Sequence, residues 1–72
     1  MIYKLYQTIG SNVANAAMTL GVEPQISFLF DPNNSSYVNF KQQINDQTAQ
    51  LEDVDGVLMS ADEAIAYVAT LP

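Results

Sequence analysis

The sequence contains no cysteine, no histidine and no arginine. Without cysteine, no disulfide can stabilise the fold, and without cysteine and histidine the usual zinc ligands are missing. A serine or cysteine catalytic triad and an arginine clamp on phosphate cannot be built either. The sequence therefore predicts a protein that is not an enzyme and that holds no cofactor.

Positive charge is almost absent as well. Lys4 and Lys41 are the only cations against eight carboxylates, which gives a formal net charge of −6. Binding to nucleic acid or to an anionic membrane surface requires several lysines or arginines. No apolar run approaches the roughly 18 residues needed to cross a bilayer. We therefore expect no nucleic-acid partner and no membrane partner.

The chain is short and rich in hydrophobic residues. Its 72 residues form one domain, residues 1–72, and 49% of them are hydrophobic, which is typical of a folded protein. A domain of this size buries only about 60% of its unfolded surface, so its stability is marginal without further support. We therefore expect the chain to form a homo-oligomer.

The first half of the chain has the pattern of β-strands. Residues 2–9 are rich in β-forming side chains, and residues 25–30 place Ile26, Phe28 and Phe30 on one face by the period of two. Turn-forming glycine or proline bounds both segments. Each is predicted to be a strand, the second with its apolar face in the core.

The stretch from Ser11 to Leu20 fits two structures. As a helix it would place Val13 and Ala17 on one face and end at Gly21, and its alanines favour that conformation. As a strand it would pair with its neighbours through a hairpin at residues 21–24. We predict the strand, because strands that are adjacent in sequence usually pair, and keep the helix as the alternative.

The second half indicates two helices and a hairpin. Apolar residues recur every three or four positions from residue 35 to about 46, which predicts a helix. Ser60 with Glu63 has the spacing of a capping box and predicts a second helix over about 61–70. Between them, the turn at Gly56 predicts a short hairpin over residues 50–59. The expected fold is α+β: a small antiparallel meander of about three strands plus a short hairpin, covered on one face by two helices.

The acidic residues are concentrated in this second half. Five of the eight carboxylates fall within twelve residues: Glu52, Asp53, Asp55, Asp62 and Glu63. Such a patch could imitate nucleic acid and inhibit a host enzyme with a basic groove. It could also bind calcium weakly, but aligning Gly56 with the sixth position of an EF-hand loop places Leu51 at the first, where a carboxylate belongs.

Two aromatic residues near the N-terminus form a second candidate interaction patch. Tyr3 and Tyr6 are three positions apart, so they cannot point the same way on a regular strand. We expect one of them to lie on the surface.

Several short segments resemble a pattern that recurs in known proteins. They are Phe30-Asp31-Pro32 with Tyr37, Asp53-Val54-Asp55-Gly56, Ser60-Ala61-Asp62-Glu63 and Ala69-Thr70-Leu71-Pro72. Together they resemble small uncharacterised proteins of tailed bacteriophages, notably phages of marine cyanobacteria, over about residues 26–72. The resemblance implies a phage origin, a virion or tail protein as partner, and a location in the cytoplasm of the infected host cell or in the virion. It brings no catalytic residues.

Together, these observations predict a protein that acts by binding other proteins and not by catalysing a reaction. The leading hypothesis is a non-enzymatic structural or assembly-interaction protein of phage origin. The alternatives are the acidic nucleic-acid mimic and, after it, the weak calcium-binding module.

Overall fold

The computed structural model describes residues 1–71 as four strands and two helices. In chain order they are β1 (Ile2–Tyr6), β2 (Ala16–Leu20), β3 (Ser27–Leu29), α1 (Ser35–Asn45), β4 (Gln50–Glu52) and α2 (Ala61–Val68). The strands form one sheet in the order β3-β2-β1-β4. Both helices pack on it, so the predicted α+β fold is confirmed.

The sheet differs from the prediction in its topology and in its number of strands. β1 is antiparallel to β2, and β2 to β3, but β1 is parallel to β4, with Tyr3 beside Leu51. The sheet is therefore mixed and has four strands. The first strand of the predicted hairpin, β4, joins the main sheet, because the α1 connection carries the chain back across it to the free edge of β1.

The ambiguous stretch is a strand over its second part. β2 begins at Ala16, and Tyr3 lies opposite Thr19 across the β1–β2 pair. The helical alternative is wrong for these residues, since pairing with strands on both sides outweighs the helical preference of alanine. Residues 11–15 belong to the loop that precedes the strand.

β3 is shorter than predicted. Phe28 is buried, as the period of two requires, but the side chain of Ile26 is 46% exposed. Ile26 lies just before β3, where its N–H donates to the hydroxyl of Thr19 at 2.9 Å and its carbonyl accepts from the Thr19 N–H. Its side chain therefore lies at the rim of the core.

Both helices begin at the residues that the sequence indicates. Asn34 caps α1, with its side chain accepting from the N–H groups of Ser36 and Tyr37. Ser60 and Glu63 form the predicted capping box of α2. These caps satisfy N–H groups that have no partner within the helix.

The core lies between the helices and one face of the sheet. Its centre is an aromatic cluster in which the ring of Tyr3 packs edge-on against Phe40 at 5.0 Å and Phe28 at 6.0 Å. Leu51 of β4 and Val68 of α2 are fully buried beside it. The helix-facing side of the sheet is thus closed by apolar packing.

The outer edge of β4 is covered by its own chain. After a turn at residues 53–56, the Met59 N–H donates to the carbonyl of Leu51 at 2.8 Å, and Leu58 bridges to Glu52. This is the second half of the predicted hairpin, reduced to a bridge. β3, by contrast, is an edge strand with no strand beyond it in the described sheet.

Candidate interaction surfaces

The side of the sheet that faces away from the helices is mostly apolar. We call it the open face. The alternation along each strand assigns to it Ile2, Lys4, Tyr6, Ala16, Met18, Leu20, Ser27, Leu29, Gln50 and Glu52. Six of these ten side chains are apolar or aromatic and adjoin one another across β1, β2 and β3. No helix of the described residues covers this face.

The open face is close to electrical neutrality in a strongly acidic protein. It carries one cation, Lys4, and one carboxylate, Glu52, which are register partners on β1 and β4. The ammonium of Lys4 donates to the carbonyl of Val54 at 3.1 Å. None of the other seven carboxylates belongs to a strand. The surplus negative charge therefore lies on the loops and on α2 rather than on the strands of the open face.

The predicted acidic patch is divided between two local structures. The carboxylate of Asp53 accepts from the N–H groups of Asp55 at 2.9 Å and Val57 at 3.0 Å, which shapes the turn after β4. The carboxylate of Glu63 accepts from the N–H of Ser60 in the capping box.

Asp62 lies beside Glu63 in the first turn of α2, where both suit the positive end of the helix dipole. Glu52 is the only one of the five predicted acidic residues in a strand, and it lies on the open face. Among residues 1–71, no three acidic side chains lie close enough to hold a metal ion together.

The two predicted tyrosines occupy opposite sides of the sheet. Tyr3 is 4% exposed and lies in the core, where its hydroxyl donates to Oε1 of Gln43 at 2.6 Å. Tyr6 is half-buried on the open face. They do not form one patch, and only Tyr6 contributes to a surface.

The loop between β1 and β2, residues 7–15, presents two apolar side chains to solvent. Ile9 is fully exposed and Val13 is 68% exposed. The base of the loop is fixed, because the Thr8 N–H donates to the side chain of Asn15 at 3.0 Å and the Asn15 amide donates back to the Thr8 hydroxyl at 2.7 Å. The loop is therefore an ordered projection with an apolar tip.

A cleft lies at the other end of β1, between the sheet and α1. We call it the α1 cleft, and its volume is about 190 Å³. Its lining includes Met1, Tyr3, Ile26, Phe28, Asn39 and Gln43. The sheet and the residues next to its strands contribute apolar and aromatic surface together with Thr19, and α1 contributes neutral polar groups. Among the described residues, no charged side chain lines the cleft.

Neither the loop tip nor the α1 cleft was predicted from the sequence. One signal was present: residues 5–22 contain no charged side chain, although the protein as a whole is acidic. A long uncharged stretch that ends one strand and begins the next indicates a surface kept free of charge. The cleft itself depends on the distance between α1 and the sheet, which no local pattern encodes.

Comparison of the chain with protein-family models, with curated proteins and with solved structures finds no match. The resemblance to phage proteins thus stays a prediction. Within residues 1–71, neither helix has the length and apolar character of a membrane span.

Proposed function

We propose that this protein is a non-enzymatic structural or assembly protein that works by contact and self-associates through its open face. The setting of virion or tail assembly in a phage is part of this proposal, and it rests on the sequence resemblance alone. The observation that carries the proposal is the apolar, nearly neutral face of a sheet that is covered on one side only.

Burial of that face is energetically favourable. A large apolar side chain contributes about 1.5–3 kcal/mol when it passes from full exposure to full burial. Leu29 is 54% exposed, and Ile2, Met18 and Leu20 are half-buried, so each has area left to bury. Two such faces can pack about 10 Å apart, as sheets do in β-sandwiches.

The face is a better contact surface than the edges. β3 has only three residues, and short edge strands are a common protection against edge-to-edge pairing. The edge of β4 already has its partner at residues 57–59. Self-association through the open face needs neither edge.

Charge favours a second copy over a basic partner at this surface. A basic protein would be attracted to carboxylates, and the open face carries only one of the eight, Glu52, beside the cation Lys4. A second open face brings another Lys4 and Glu52, which allows opposite charges to meet between the two copies. The interface is small, so we expect a weak, concentration-dependent association rather than a permanent dimer.

The test is sedimentation velocity over a wide range of protein concentration. The wild-type chain should show a mass that rises above 7.9 kDa as concentration increases. Leu29→Lys on the open face should weaken this association about fivefold or more, since it removes an apolar contact worth about 1 kcal/mol. Val38→Lys is the matched control, because Val38 is 47% exposed on α1 and the charge change is identical.

The outcomes are distinct. A strictly monomeric wild-type protein at high concentration contradicts the proposal. Equal effects of Leu29→Lys and Val38→Lys would show that charge, and not the open face, controls association.

A further inference from the structure

The loop tip and the α1 cleft lie at opposite ends of the molecule. The loop follows Tyr6 at the C-terminal end of β1, whereas Met1 and Tyr3 line the cleft at its N-terminal end. Five residues of extended chain separate the two ends by roughly 17 Å. One end projects an apolar side chain, and the other end has a recess.

We infer that Ile9 of one copy inserts into the α1 cleft of the next copy, which gives a head-to-tail contact between chains. The inference rests on the proposed function only in that the protein self-associates, and it uses residues outside the open face. A head-to-tail contact leaves one loop and one cleft free at the two ends, so it extends into a ring or a filament.

The dimensions of the two surfaces agree. An apolar cavity of about 150 Å³ is large enough to hold benzene, so the α1 cleft, at about 190 Å³, has room for one aliphatic side chain. Ile9 is fully exposed, so insertion removes apolar surface that no other described residue of its own chain covers. Met1 and Ile26 lie at the rim of the cleft and are about half exposed. Insertion of Ile9 would bury these two side chains as well.

The charges of the two surfaces agree as well. Residues 7–15 contain no charged side chain, and among the described residues the cleft lining contains none either, so that the α-ammonium of Met1 is the one charged group there. In a protein of net charge −6 this makes another copy of the chain an acceptable partner at these ends. Of the neutral polar side chains of the loop, the Ser11 hydroxyl already donates to the Val13 carbonyl at 2.7 Å, and the Asn12 amide would meet the neutral polar side chains of Asn39 and Gln43 in the cleft wall.

The ordered base of the loop supports the same assignment. The reciprocal bonds between Thr8 and Asn15, together with the Ser11 N–H donating to the Thr8 carbonyl at 3.0 Å, hold the tip in one conformation. A preorganised tip loses less conformational entropy on insertion than a flexible one.

The experiment separates this contact from the open face by working in the Leu29→Lys background. There, the protein should still form oligomers of more than two chains at high concentration. Adding Ile9→Lys should weaken that association by about tenfold, because a charged side chain replaces the inserted apolar one. Adding Ile26→Lys should do the same from the cleft side, and adding Val38→Lys, with the same charge change, should not.

A mixture of the two variants provides the decisive result. The Ile9→Lys chain has an intact cleft, and the Ile26→Lys chain has an intact loop, so mixing them should give two-chain complexes and nothing larger. A symmetric dimer in which each loop enters the other chain's cleft would also keep one of its two contacts on mixing, but its parent would stop at two chains, which would overturn the head-to-tail arrangement. Concentration-dependent NMR shifts of the side-chain amides of Asn39 and Gln43, present in the parent and lost with Ile9→Lys, report the same contact where sedimentation is insensitive.

The inference is overturned if the Leu29→Lys protein is monomeric with unchanging Asn39 and Gln43 shifts, if Ile9→Lys has no more effect than Val38→Lys, or if mixing restores no complex. In each case the proposed open-face contact is judged separately, by comparing the wild-type chain with Leu29→Lys. Because Ile9 is fully exposed, its substitution leaves the fold intact, which circular dichroism of the variant verifies.

Discussion

The hydroxyl of Tyr3 donates a hydrogen bond to Oε1 of Gln43 at 2.6 Å and so joins β1 to α1 across forty positions of the chain. The bond is partly buried, and the Tyr3 ring packs against Phe40 of the same helix. Sheet and helix are thus fixed to each other by one polar contact next to an apolar one, and this contact also forms part of the α1 cleft wall.

Tyr3→Phe should lower the free energy of unfolding by about 1 kcal/mol. The ring packing survives, but the hydrogen bond is lost and the Gln43 carbonyl oxygen is left without this donor. Chemical denaturation measures the change. Tyr6→Phe is the matched control: Tyr6 lies on the open face and should change stability little, so an equal loss in both variants would contradict the role given to the Tyr3–Gln43 bond.

Stability should fall as the pH rises above 10. Burial raises the pKa of the Tyr3, Tyr37 and Tyr67 hydroxyls above the ordinary value of 10.0, and proximity to Tyr37 raises the pKa of Tyr67 further. Above pH 10 the unfolded chain therefore loses these protons before the folded chain does, and ionisation favours unfolding. Below pH 10 these hydroxyls are protonated in both the folded and the unfolded chain, and their contribution to the free energy of unfolding is fully present.

Denaturant midpoints measured on both sides of pH 10 test this dependence. Tyr67→Phe should make the decline shallower, because it removes one of the three shifted hydroxyls. An unchanged decline in Tyr67→Phe would show that other groups cause the alkaline loss.

Ser60→Ala should destabilise the protein by about 1 kcal/mol. The Ser60 hydroxyl accepts from the Glu63 N–H at 3.2 Å, and alanine leaves that donor without its capping partner. Ser60→Asp keeps a side-chain acceptor at the cap and should retain most of the stability. Thermal unfolding of the two variants side by side measures the difference, and a loss of equal size in both would argue against the cap.

The caps and the core-facing helix positions could be predicted because they depend on residues close in sequence. The spacing of Ser60 and Glu63 alone indicates the start of α2, and the three-and-four spacing of Tyr37, Phe40 and Ile44 indicates the buried side of α1. For β2 the local preference of alanine indicated a helix, and the strand was predicted correctly only because pairing with neighbouring strands was given more weight.

The parallel pairing of β4 with β1 could not be predicted in the same way. Ile2 and Gln50 are register partners although α1 and two strands separate them in sequence. A three-residue segment such as Gln50–Glu52 has no pattern that distinguishes an isolated hairpin from a sheet strand. Its place is fixed by the pairing with β1 and by the complete burial of Leu51, both of which depend on residues distant in sequence. The sequence indicated that two helices cover one face of the sheet, but the residues of the open face follow only from the register of its strands.

Gly56→Ala should destabilise the protein by about 1–2 kcal/mol. Gly56 has φ = +84°, a conformation that disfavours residues with a Cβ atom. The added Cβ would lie 3.8 Å from Oε1 of Glu52, an ordinary contact, so the cost is backbone strain and not a clash. Gly56→Asn should cost less, since asparagine tolerates positive φ better than alanine, and equal losses would contradict backbone strain as the cause.

Salt should strengthen self-association of this protein. At long range, two copies of net charge −6 repel each other, and the screening length falls from about 10 Å at 0.1 M salt to about 3 Å at 1 M. The apolar contact at the open face is not weakened by sodium chloride, so removing the repulsion leaves a net gain. An acidic protein that occupies a basic groove behaves in the opposite way, because salt weakens the attraction on which such binding depends.

The variant Lys4→Gln provides a further test of how salt affects self-association. It removes the only cation of the open face and raises the net negative charge, so association should weaken at low salt and recover at high salt. Lys41→Gln makes the same charge change on α1, and it should share the long-range effect while keeping the Lys4–Glu52 pairing between copies. Association that falls with salt in the wild-type chain would mean that charged groups, and not the apolar open face, hold the copies together.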